Sequence, residues 1–414
     1  MVQVAVMGYG VVGSGVVEVM SEHRDSINKR TKEEMGIKYI LDIRDFPDSP
    51  FQDKFTKNFE DILNDDEVKV VAEVMGGVHP AYEFTKQCLE KGKSVVTSNK
   101  ELVATKGAEL LKIAKQNNAN YLFEASVGGG IPIIRPLSQC LAANEVIEIA
   151  GILNGTTNFI LTKMIREKMS FADALAMAQQ LGYAERNPAA DVEGHDAGRK
   201  ISILASLAYG KHVYPEYVHT QGITEITLED VAYAASWGGV IKLIGQVKRL
   251  EDQTLDITVE PMFVEKNSQL ANVDDVFNGI MVRGDSTGDV VFYGKGAGKL
   301  PTASAVVADI MDCAKHLKRR KYLEWADGDG SIVKPYAETT YPVYIRVACE
   351  DKQAAFQKAQ ELFANVSALV RANAGGNELA FVTDEMTVAR QEKAVQALEE
   401  AGYQVLSKIR ISDL

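Results

Sequence analysis

Three glycines near the N-terminus restrict the fold of this chain more than any other feature. The segment "VQVAVMGYGVVGSGVVEVM" places Gly8, Gly10 and Gly13, with the spacing G-x-G-x-x-G, between a short apolar β-type run and an apolar helical pattern. There, glycine permits a tight turn, the close approach of a pyrophosphate and close packing of helix on strand, while the helix N-terminus offers N–H groups to phosphate. The pattern predicts a dinucleotide-binding unit. The alternative is a glycine-rich turn without a ligand.

The pattern that follows predicts a parallel sheet. Short β-type runs alternate with helical patterns, which is typical of a doubly wound α/β unit of the Rossmann type whose ligands bind at the carboxyl ends of the strands. The predicted strands are 37–43, 68–74, 94–97 and 120–123, and the helices between the later strands are 80–91 and 101–117.

The end of the second predicted strand, "LDIRD", bears on the choice of dinucleotide. A carboxylate at this position binds the hydroxyls of the adenosine ribose, whereas an arginine accommodates a 2′-phosphate. Asp42, Arg44 and Asp45 offer both groups. The choice between NADH and NADPH stays open on these residues, and Arg44 slightly favours NADPH.

The composition excludes several classes of protein. With 414 residues, the chain is long enough for two or three domains, and its 46% hydrophobic and 25% charged residues are ordinary for a globular protein. The net charge of −12 disfavours nucleic acid and anionic membranes as partners, and no apolar run of about 18 residues predicts a membrane span. The four cysteines are far apart, so we expect no disulfide framework and a cytoplasmic location.

The middle of the chain predicts an α+β unit. The glycine- and proline-rich segment 124–136 indicates its boundary, and the loop 294–298 is expected either to touch the dinucleotide or to act as a hinge before a long helix that Pro301 opens. Between these segments we predict strands at 146–153, 254–264, 278–282 and 290–293, helices at 159–167, 170–181 and 196–209, and N-caps at 156–158 and 170.

The C-terminal segments predict a separate unit. Strand, helix, strand, strand, helix and strand follow one another between residues 341 and 411, and this βαββαβ order is the ferredoxin-like arrangement.

The stretch 182–200, "GYAERNPAADVEGHDAGRK", concentrates opposed charges between turn residues. Asp196 and Lys200 are four residues apart at a predicted helix start, so their side chains share one face. They form either a solvated surface pair or part of a site with Glu185, Asp191 and the strand-end Lys100. Such a site suits a small zwitterion with a reacting carbonyl, because carboxylates bind its ammonium and a lysine donates a proton as hydride arrives.

Six motifs give the chain a resemblance to the homoserine dehydrogenase family over residues 2–320. They are "GYGVVGSG", "TSNKELVA", "EASVGGGIPII", "GILNGTTNFIL", "LGYAERNPAADVEGHDAGRK" and "GKGAGKLPTASAV". The resemblance implies reversible NAD(P)H-dependent reduction of aspartate 4-semialdehyde to homoserine, in threonine and methionine biosynthesis. The alternatives are another semialdehyde or amino-acid dehydrogenase and a catalytically silent nucleotide-binding regulator. The intact Lys100 and Lys200 argue against the silent protein.

The resemblance also implies roles for individual residues. Lys200 is then the proton donor and Lys100 a second essential lysine near nicotinamide and substrate, while Glu185 and Asp196 bind the amino acid with support from Asp191. The implied cofactor-binding residues are Gly8, Gly10, Val11, Val12, Gly13, Arg44, Lys100, Gly182 and Gly298. The chain departs from the family pattern at Asn187-Pro188, where Asp-Pro is common.

A monovalent cation site, normally filled by sodium, is implied by the same resemblance. Its ligands are the Glu124 carboxylate and the backbone carbonyls of Val127, Gly129 and Ile131. Oxygen donors suit such a hard cation. The residues by themselves predict only a glycine hinge.

The expected organisation is three domains in a homodimer or homotetramer. A dinucleotide-binding domain covers 1–135 and is completed by a helix at 300–320, a substrate-binding and dimerisation domain covers 136–300, and an ACT-like domain covers 335–414. The usual first turn of an ACT domain, Asp-x-Pro-Gly-x-Leu, is replaced by "VACEDKQAAFQKAQ". We therefore expect a domain that folds and contributes to assembly without binding threonine.

Overall fold

The N-terminal part of the chain is an α/β unit built on one parallel sheet, which we call the first sheet. The structure, a computed structural model, describes residues 1–321, 323–372, 374 and 376–414. The elements of this part are β1 (Val2–Met7), α1 (Val11–Glu22), α2 (Arg24–Thr31), β2 (Met35–Leu41), β3 (Phe55–Thr56), α3 (Glu60–Leu63), β4 (Val68–Glu73), α4 (Ala81–Glu90), β5 (Ser94–Thr97), α5 (Lys100–Gln116) and β6 (Tyr121–Leu122).

The strands of the first sheet lie in the order β3-β2-β1-β4-β5-β6, and every pair is parallel. Strands β2 and β3 lie on one side of β1, and strands β4 to β6 lie on the other. The direction in which successive strands are added to the sheet therefore reverses beside β1. Ligands bind at the carboxyl edge of such a reversal. The central strand β1 is buried on both faces, as its apolar run predicts.

The second part of the chain is an α+β unit. Its elements are β7 (Val146–Ile152), α6 (Gly155–Glu167), α7 (Phe171–Gln180), α8 (Ala189–Val192), α9 (His195–Tyr209), β8 (His219–Thr220), α10 (Leu228–Trp237), β9 (Gly239–Arg249), β10 (Leu255–Glu265), β11 (Phe277–Gly284), β12 (Gly288–Lys295) and α11 (Lys299–Lys315). Helix α11 returns to the first sheet and crosses α1 at Gly15, where a side chain would meet Ala303 at 3.0 Å. Helix α11 of the middle part therefore packs on helix α1 of the N-terminal part.

The C-terminal part is a βαββαβ unit. Its elements are β13 (Thr340–Tyr341), β14 (Val343–Ala348), α12 (Lys352–Leu362), β15 (Ser367–Leu369), β16 (Glu378–Val382), β17 (Met386–Thr387), α13 (Val388–Glu400) and β18 (Gln404–Ile411). The strand order β18-β14-β16-β15 is antiparallel throughout, as the ferredoxin-like arrangement requires.

The C-terminal unit is joined to the middle unit through one continuous sheet. That sheet has the order β12-β11-β7-β9-β10-β18-β14-β16-β15, and its joint is the parallel pair of Met262 with Arg410. Tyr344 and Arg346 also cross to α10, where the Tyr344 hydroxyl and Arg346 Nε each donate to the buried Asp230 carboxylate at 3.0 Å. Both faces of β14 are consequently buried.

The structure confirms the predicted fold class and corrects several element bounds. Helix α6 begins at Gly155, not at residue 159, because the Asn154 side chain accepts from Thr157 N and caps it; the predicted caps at 156–158 were therefore wrong. Helix α11 spans 299–315, so the expected range of 300–320 was too long. The predicted Ser170 cap is confirmed. Within the described part of the chain, every helix is too short or too polar to cross a membrane.

Candidate active site

The glycine loop between β1 and α1 presents its backbone at the carboxyl edge of the first sheet. Gly8 has φ +99°, a conformation that favours glycine, and its N–H donates to Leu41 O at 2.8 Å. A Cβ on Gly13 would lie 1.9 Å from Gly8 O, so the loop closes on itself there. A Cβ on Gly10 would meet no atom within 4 Å. Gly10 therefore faces open space, beside an exposed Val11 at the start of α1.

The end of β2 places a carboxylate and a guanidinium beside the glycine loop. Asp42 accepts the Tyr9 N–H at 2.8 Å, and Arg44 donates to both Asp42 oxygens at 3.0 and 2.9 Å. The hydrogen bond from Arg44 is the main cause that lowers the pKa of Asp42 to about 2. The Arg44 guanidinium lies over the Phe46 ring, 5.2 Å from its centroid, and stays largely exposed. Asp42 is thus engaged within the chain, while Arg44 faces solvent.

The centre of the site is a buried carboxylate between two lysines. Lys100 Nζ lies 2.5 Å from Asp196 Oδ1, and Lys200 Nζ lies 2.7 Å from Asp196 Oδ2. Lys100 is the first residue of α5 in the N-terminal unit, whereas Asp196 and Lys200 belong to the first turns of α9. Burial opposes ionisation of Asp196, but the two lysines outweigh it and hold the pKa of its carboxyl well below the usual range.

The Lys200 ammonium is buried and anchored by two acceptors. Its Nζ donates to Leu153 O at 2.7 Å and pairs with the Asp196 carboxylate. Burial lowers the pKa of Lys200, and Asp196 offsets this only partly. An ammonium carries three protons, so one donor position is left beside these two partners among the described residues. A buried amine with a depressed pKa and a spare proton is suited to general acid catalysis.

Asn154 connects this centre to a second carboxylate. Its Nδ2 donates to Asp191 Oδ1 at 2.7 Å and to Asp196 Oδ2 at 2.9 Å. Burial raises the pKa of Asp191, and the hydrogen bond from Asn154 partly counteracts it. The sequence marked Asn154 only as a turn residue, since the two aspartates lie 37 and 42 residues further along the chain. The contacts of α6 with α8 and of α8 with α9 bring them together.

Two of the predicted residues, Gly182 and Glu185, lie on an exposed loop before α8. Gly182 has φ +76°. Glu185 is exposed, and its side chain has no hydrogen bond or ion pair to any described residue. The loop is fixed from below, because the Thr156 hydroxyl donates to Tyr183 O at 2.6 Å. His195, which has no predicted role, pairs with Glu193 on the surface. Glu185 is thus free to meet a ligand and stays outside the buried cluster.

The segment around Glu124 is tightly hydrogen-bonded rather than a free hinge. The buried Glu124 carboxylate accepts the N–H groups of Ile133, Ile134 and Arg135 at 2.7, 2.9 and 2.9 Å. Gly130 N–H donates to Lys295 O at 3.1 Å, which joins this segment to the loop before α11. That loop ends at Gly298, the N-cap of α11. Within the described residues, no group of three or more His, Cys, Asp and Glu side chains is arranged to hold a metal ion.

These features define a class of protein. A glycine loop at the switch point of a parallel sheet binds a dinucleotide, and Lys100 follows β5 at the same carboxyl edge, next to the buried Asp196–Lys200 pair. A buried lysine–carboxylate cluster at the carboxyl edge of a dinucleotide-type sheet is the arrangement expected of an oxidoreductase that uses a nicotinamide cofactor.

Comparisons with known proteins identify the family within this class. The family model for homoserine dehydrogenase matches residues 132–311, and the model for the NAD-binding domain of homoserine dehydrogenase matches residues 8–124. The homoserine dehydrogenase of Neisseria gonorrhoeae is 37% identical over 90% of this chain and 87% of its own length, and that of Synechocystis is 43% identical over 75% and 73%. The chain belongs to the homoserine dehydrogenase family.

Solved structures agree with this assignment. The crystal structure of a homoserine dehydrogenase from Thiobacillus denitrificans is 32% identical and covers 100% of this chain and 98% of its own, with a TM-score of 0.89. A hyperthermophilic archaeal homoserine dehydrogenase mutant in complex with NADPH is 27% identical, with a TM-score of 0.64 over 75% of this chain and 97% of its own.

We expect different outcomes when Gly13 and Gly10 of the loop are replaced by alanine. Gly13→Ala places a methyl group 1.9 Å from Gly8 O, so we expect a lower Tm and loss of dinucleotide binding. The methyl group of Gly10→Ala meets no atom within 4 Å, so its Tm should match that of the parent. We expect this variant to bind the dinucleotide about tenfold more weakly, because a pyrophosphate at this turn would meet the added methyl group. Thermal unfolding and fluorescence titration with NADPH measure both effects. Unchanged NADPH affinity in Gly10→Ala would place the pyrophosphate elsewhere.

Proposed function

We propose that the chain catalyses the reversible NAD(P)H-dependent reduction of L-aspartate 4-semialdehyde to L-homoserine, a step of threonine and methionine biosynthesis. The observation that carries this proposal is the buried Asp196 carboxylate between Lys100 and Lys200 at the carboxyl edge of the first sheet. The family membership supports it.

Lys200 is the proton donor in the direction of reduction. A bound nicotinamide supplies the hydride to the carbonyl carbon of the semialdehyde. The carbonyl oxygen then gains negative charge and takes a proton from Lys200 Nζ, whose remaining N–H is not held by Leu153 O or Asp196. In homoserine oxidation the neutral amine accepts the proton back. Burial of Lys200 supports proton transfer in both directions of the reaction, because it lowers the pKa of the ammonium towards neutral pH.

The remaining charged residues bind the two charged ends of the substrate. Lys100, which is partly exposed, is a second essential lysine near the nicotinamide and the substrate. Glu185 and Asp196 bind the substrate ammonium, with Asp191 in support. Glu185 is exposed and unpaired among the described residues, so it can close on a ligand without breaking an existing contact.

The glycine loop and Arg44 would hold the cofactor. Gly10, Val11 and Val12 would contact the pyrophosphate, while Gly8 allows the turn and Gly13 the close packing of the loop. Gly182 and Gly298 would lie along the cofactor, and Lys100 near the nicotinamide. We favour NADPH over NADH. Arg44 binds Asp42 through Nε and one Nη, which leaves the other N–H groups of its exposed guanidinium for a 2′-phosphate. Both oxygens of Asp42, which would bind ribose hydroxyls, already accept hydrogen bonds from Tyr9 N–H and Arg44.

A monovalent cation, sodium, is proposed at the segment that follows Glu124. The backbone carbonyls of Val127, Gly129 and Ile131 are ligands of the kind that a hard cation prefers. The Glu124 oxygens already accept three N–H groups, which leaves about one of roughly four lone-pair positions for a cation. The carbonyls therefore carry this part of the proposal, and Glu124 is a secondary ligand.

The organisation that we propose has three domains. The dinucleotide-binding domain is 1–135 with α11, the substrate and dimerisation domain is 136–300, and the ACT-like domain is 335–414. A homodimer or homotetramer in the cytoplasm fits the ordinary globular composition and the scattered cysteines.

The ACT-like domain is proposed to assemble the protein rather than to sense threonine. An amino-acid carboxylate would need the free N–H groups at the turn from β14 into α12. The Asp351 carboxylate already accepts the N–H groups of Gln353 and Ala354, at 2.9 and 3.1 Å. A cavity of about 510 Å³ at this turn is lined by Glu350 and Asp351, which repel an anion.

Parallel assays with NAD⁺ and NADP⁺ test the function. We expect homoserine-dependent reduction of both, with the larger kcat/KM for NADP⁺, because Arg44 meets the 2′-phosphate. The variant Arg44→Ala should reverse or abolish this preference, and Arg24→Ala, whose side chain pairs with Glu34 on the surface, should keep it. Absence of homoserine oxidation with either cofactor contradicts the proposed activity.

Replacement of the proton donor should affect turnover. We expect Lys200→Ala to lower kcat by about 10²- to 10⁴-fold, the usual contribution of a positioned acid or base. The affinity for NADPH should barely change. Lys211→Ala is the matched control, because Lys211 lies just beyond the same helix and pairs with Asp329 on the surface. Near-normal turnover of Lys200→Ala would remove Lys200 from the reaction.

Threonine is expected not to regulate the enzyme. Since Asp351 satisfies the N–H groups that would bind the ligand carboxylate, titration calorimetry with threonine should show no saturable heat. Homoserine oxidation should be unaffected by the same additions. Saturable inhibition of the full chain by threonine would show that the C-terminal domain senses the amino acid.

A further inference from the structure

We propose that Asn154 is a positioning residue of the active site, which holds Asp191 and Asp196 together as one paired-carboxylate unit and thereby orients the Lys200 ammonium. This inference rests on the proposed function, since Lys200 acts there as the proton donor. Asn154 itself acts through these neighbours.

Both polar atoms of the Asn154 side-chain amide, Nδ2 and Oδ1, are hydrogen-bonded. Nδ2 has two protons, and it donates one to Asp191 Oδ1 at 2.7 Å and one to Asp196 Oδ2 at 2.9 Å. Oδ1 accepts the N–H and the hydroxyl of Thr157 at 2.9 and 3.1 Å. The N–H donor of Thr157 fixes which end of the amide faces the carboxylates, so the orientation follows from the hydrogen bonds.

Two carboxylates joined through one nitrogen repel each other strongly unless donors lie between them. Lys100 and Lys200 both contact Asp196, whereas the hydrogen bond that the structure gives to the Asp191 side chain comes from Asn154. An amide supplies two donors without adding charge. Aspartate at this position would add a third carboxylate, and a shorter hydroxyl side chain has one proton and cannot span both oxygens.

Asn154 and Lys200 share their neighbours. Asp196 Oδ2 accepts from Lys200 Nζ at 2.7 Å and from Asn154 Nδ2 at 2.9 Å. The other acceptor of Lys200, Leu153 O, belongs to the residue directly before Asn154. Asn154 also caps α6, so the position of its backbone is fixed by that helix. Both acceptors of the Lys200 ammonium, Leu153 O and Asp196 Oδ2, are therefore positioned by the segment 153–154.

The variants Asn154→Ser and Asn154→Asp separate this role from helix capping, because serine and aspartate are also good N-caps. Asn154→Ser removes the donor that lowers the pKa of Asp191, so that pKa rises and the acidic limb of the kcat/KM profile moves to higher pH. Asn154→Asp adds negative charge, which favours the protonated forms of both Asp191 and Lys200. Because homoserine oxidation requires the deprotonated form of both groups, the acidic limb again moves to higher pH.

We expect kcat/KM for homoserine to fall about 10- to 100-fold in Asn154→Ser, the fold-change that corresponds to one hydrogen bond to a charged group. The Kd of NADPH should stay within about twofold, since the side chain of Asn154 binds Asp191, Asp196 and Thr157, and no hydrogen bond joins it to the glycine loop among the described residues.

Asn158→Ala is the matched control. Asn158 belongs to the same motif and is equally buried, but its Nδ2 donates to the carbonyls of Val273, Asp275 and Phe277. Its loss should lower the Tm without moving the pH profile.

The outcomes distinguish the possibilities. A parent protein without homoserine oxidation contradicts the proposed function. If the parent is active, the positioning role is contradicted when the pH profile is unchanged in Asn154→Ser and Asn154→Asp. It is also contradicted when Asn158→Ala shifts the pH profile by the same amount. Shifts to higher pH in the Asn154 variants alone, with NADPH affinity kept, support it.

Discussion

The contact between Asp196 and two lysines is the interaction on which the arrangement of the site depends. A buried carboxylate is costly unless cations and hydrogen bonds compensate it, and removal of one partner leaves a charge that the interior cannot tolerate. Here one cation, Lys100, comes from the start of α5 in the N-terminal unit and the other, Lys200, from α9 in the middle unit. These contacts therefore require the N-terminal and middle units to meet at one place, and the proposed reacting centre lies at that junction.

The C-terminal unit is attached by the same kind of charge compensation. Arg410 on β18 is buried and pairs with Asp256 and Glu260 at 3.2 and 3.1 Å, where the middle sheet continues into the C-terminal sheet. Arg346 reaches the buried Asp230 in a similar way. The C-terminal unit is thereby integrated into the sheet of the middle unit.

The sequence was sufficient wherever the signal is local. The spacing of Gly8, Gly10 and Gly13 identified the loop, and the four-residue spacing of Asp196 and Lys200 placed both on one helix face, which the structure brings beside Lys100. The sequence did not predict the contacts between distant segments. The roles of Asn154 and of the Glu124 carboxylate depend on partners that only the packing of other segments brings near, and neither residue differs by type from an ordinary cap or hinge residue.

The motif "NGTTN" shows how such contacts concentrate in a short segment. Asn154 joins the two aspartates, and Gly155 lies so close to the chain before β11 that a Cβ would be 2.8 Å from Val276 O. Thr156 holds the loop that carries Glu185, and Asn158 binds three carbonyls between α6 and β11. The start of α6 therefore fixes the two aspartates, the loop that carries Glu185 and the sheet relative to one another. A site fixed in this way needs little reorganisation when charge develops on the substrate oxygen, and that is the condition under which buried charges accelerate a reaction.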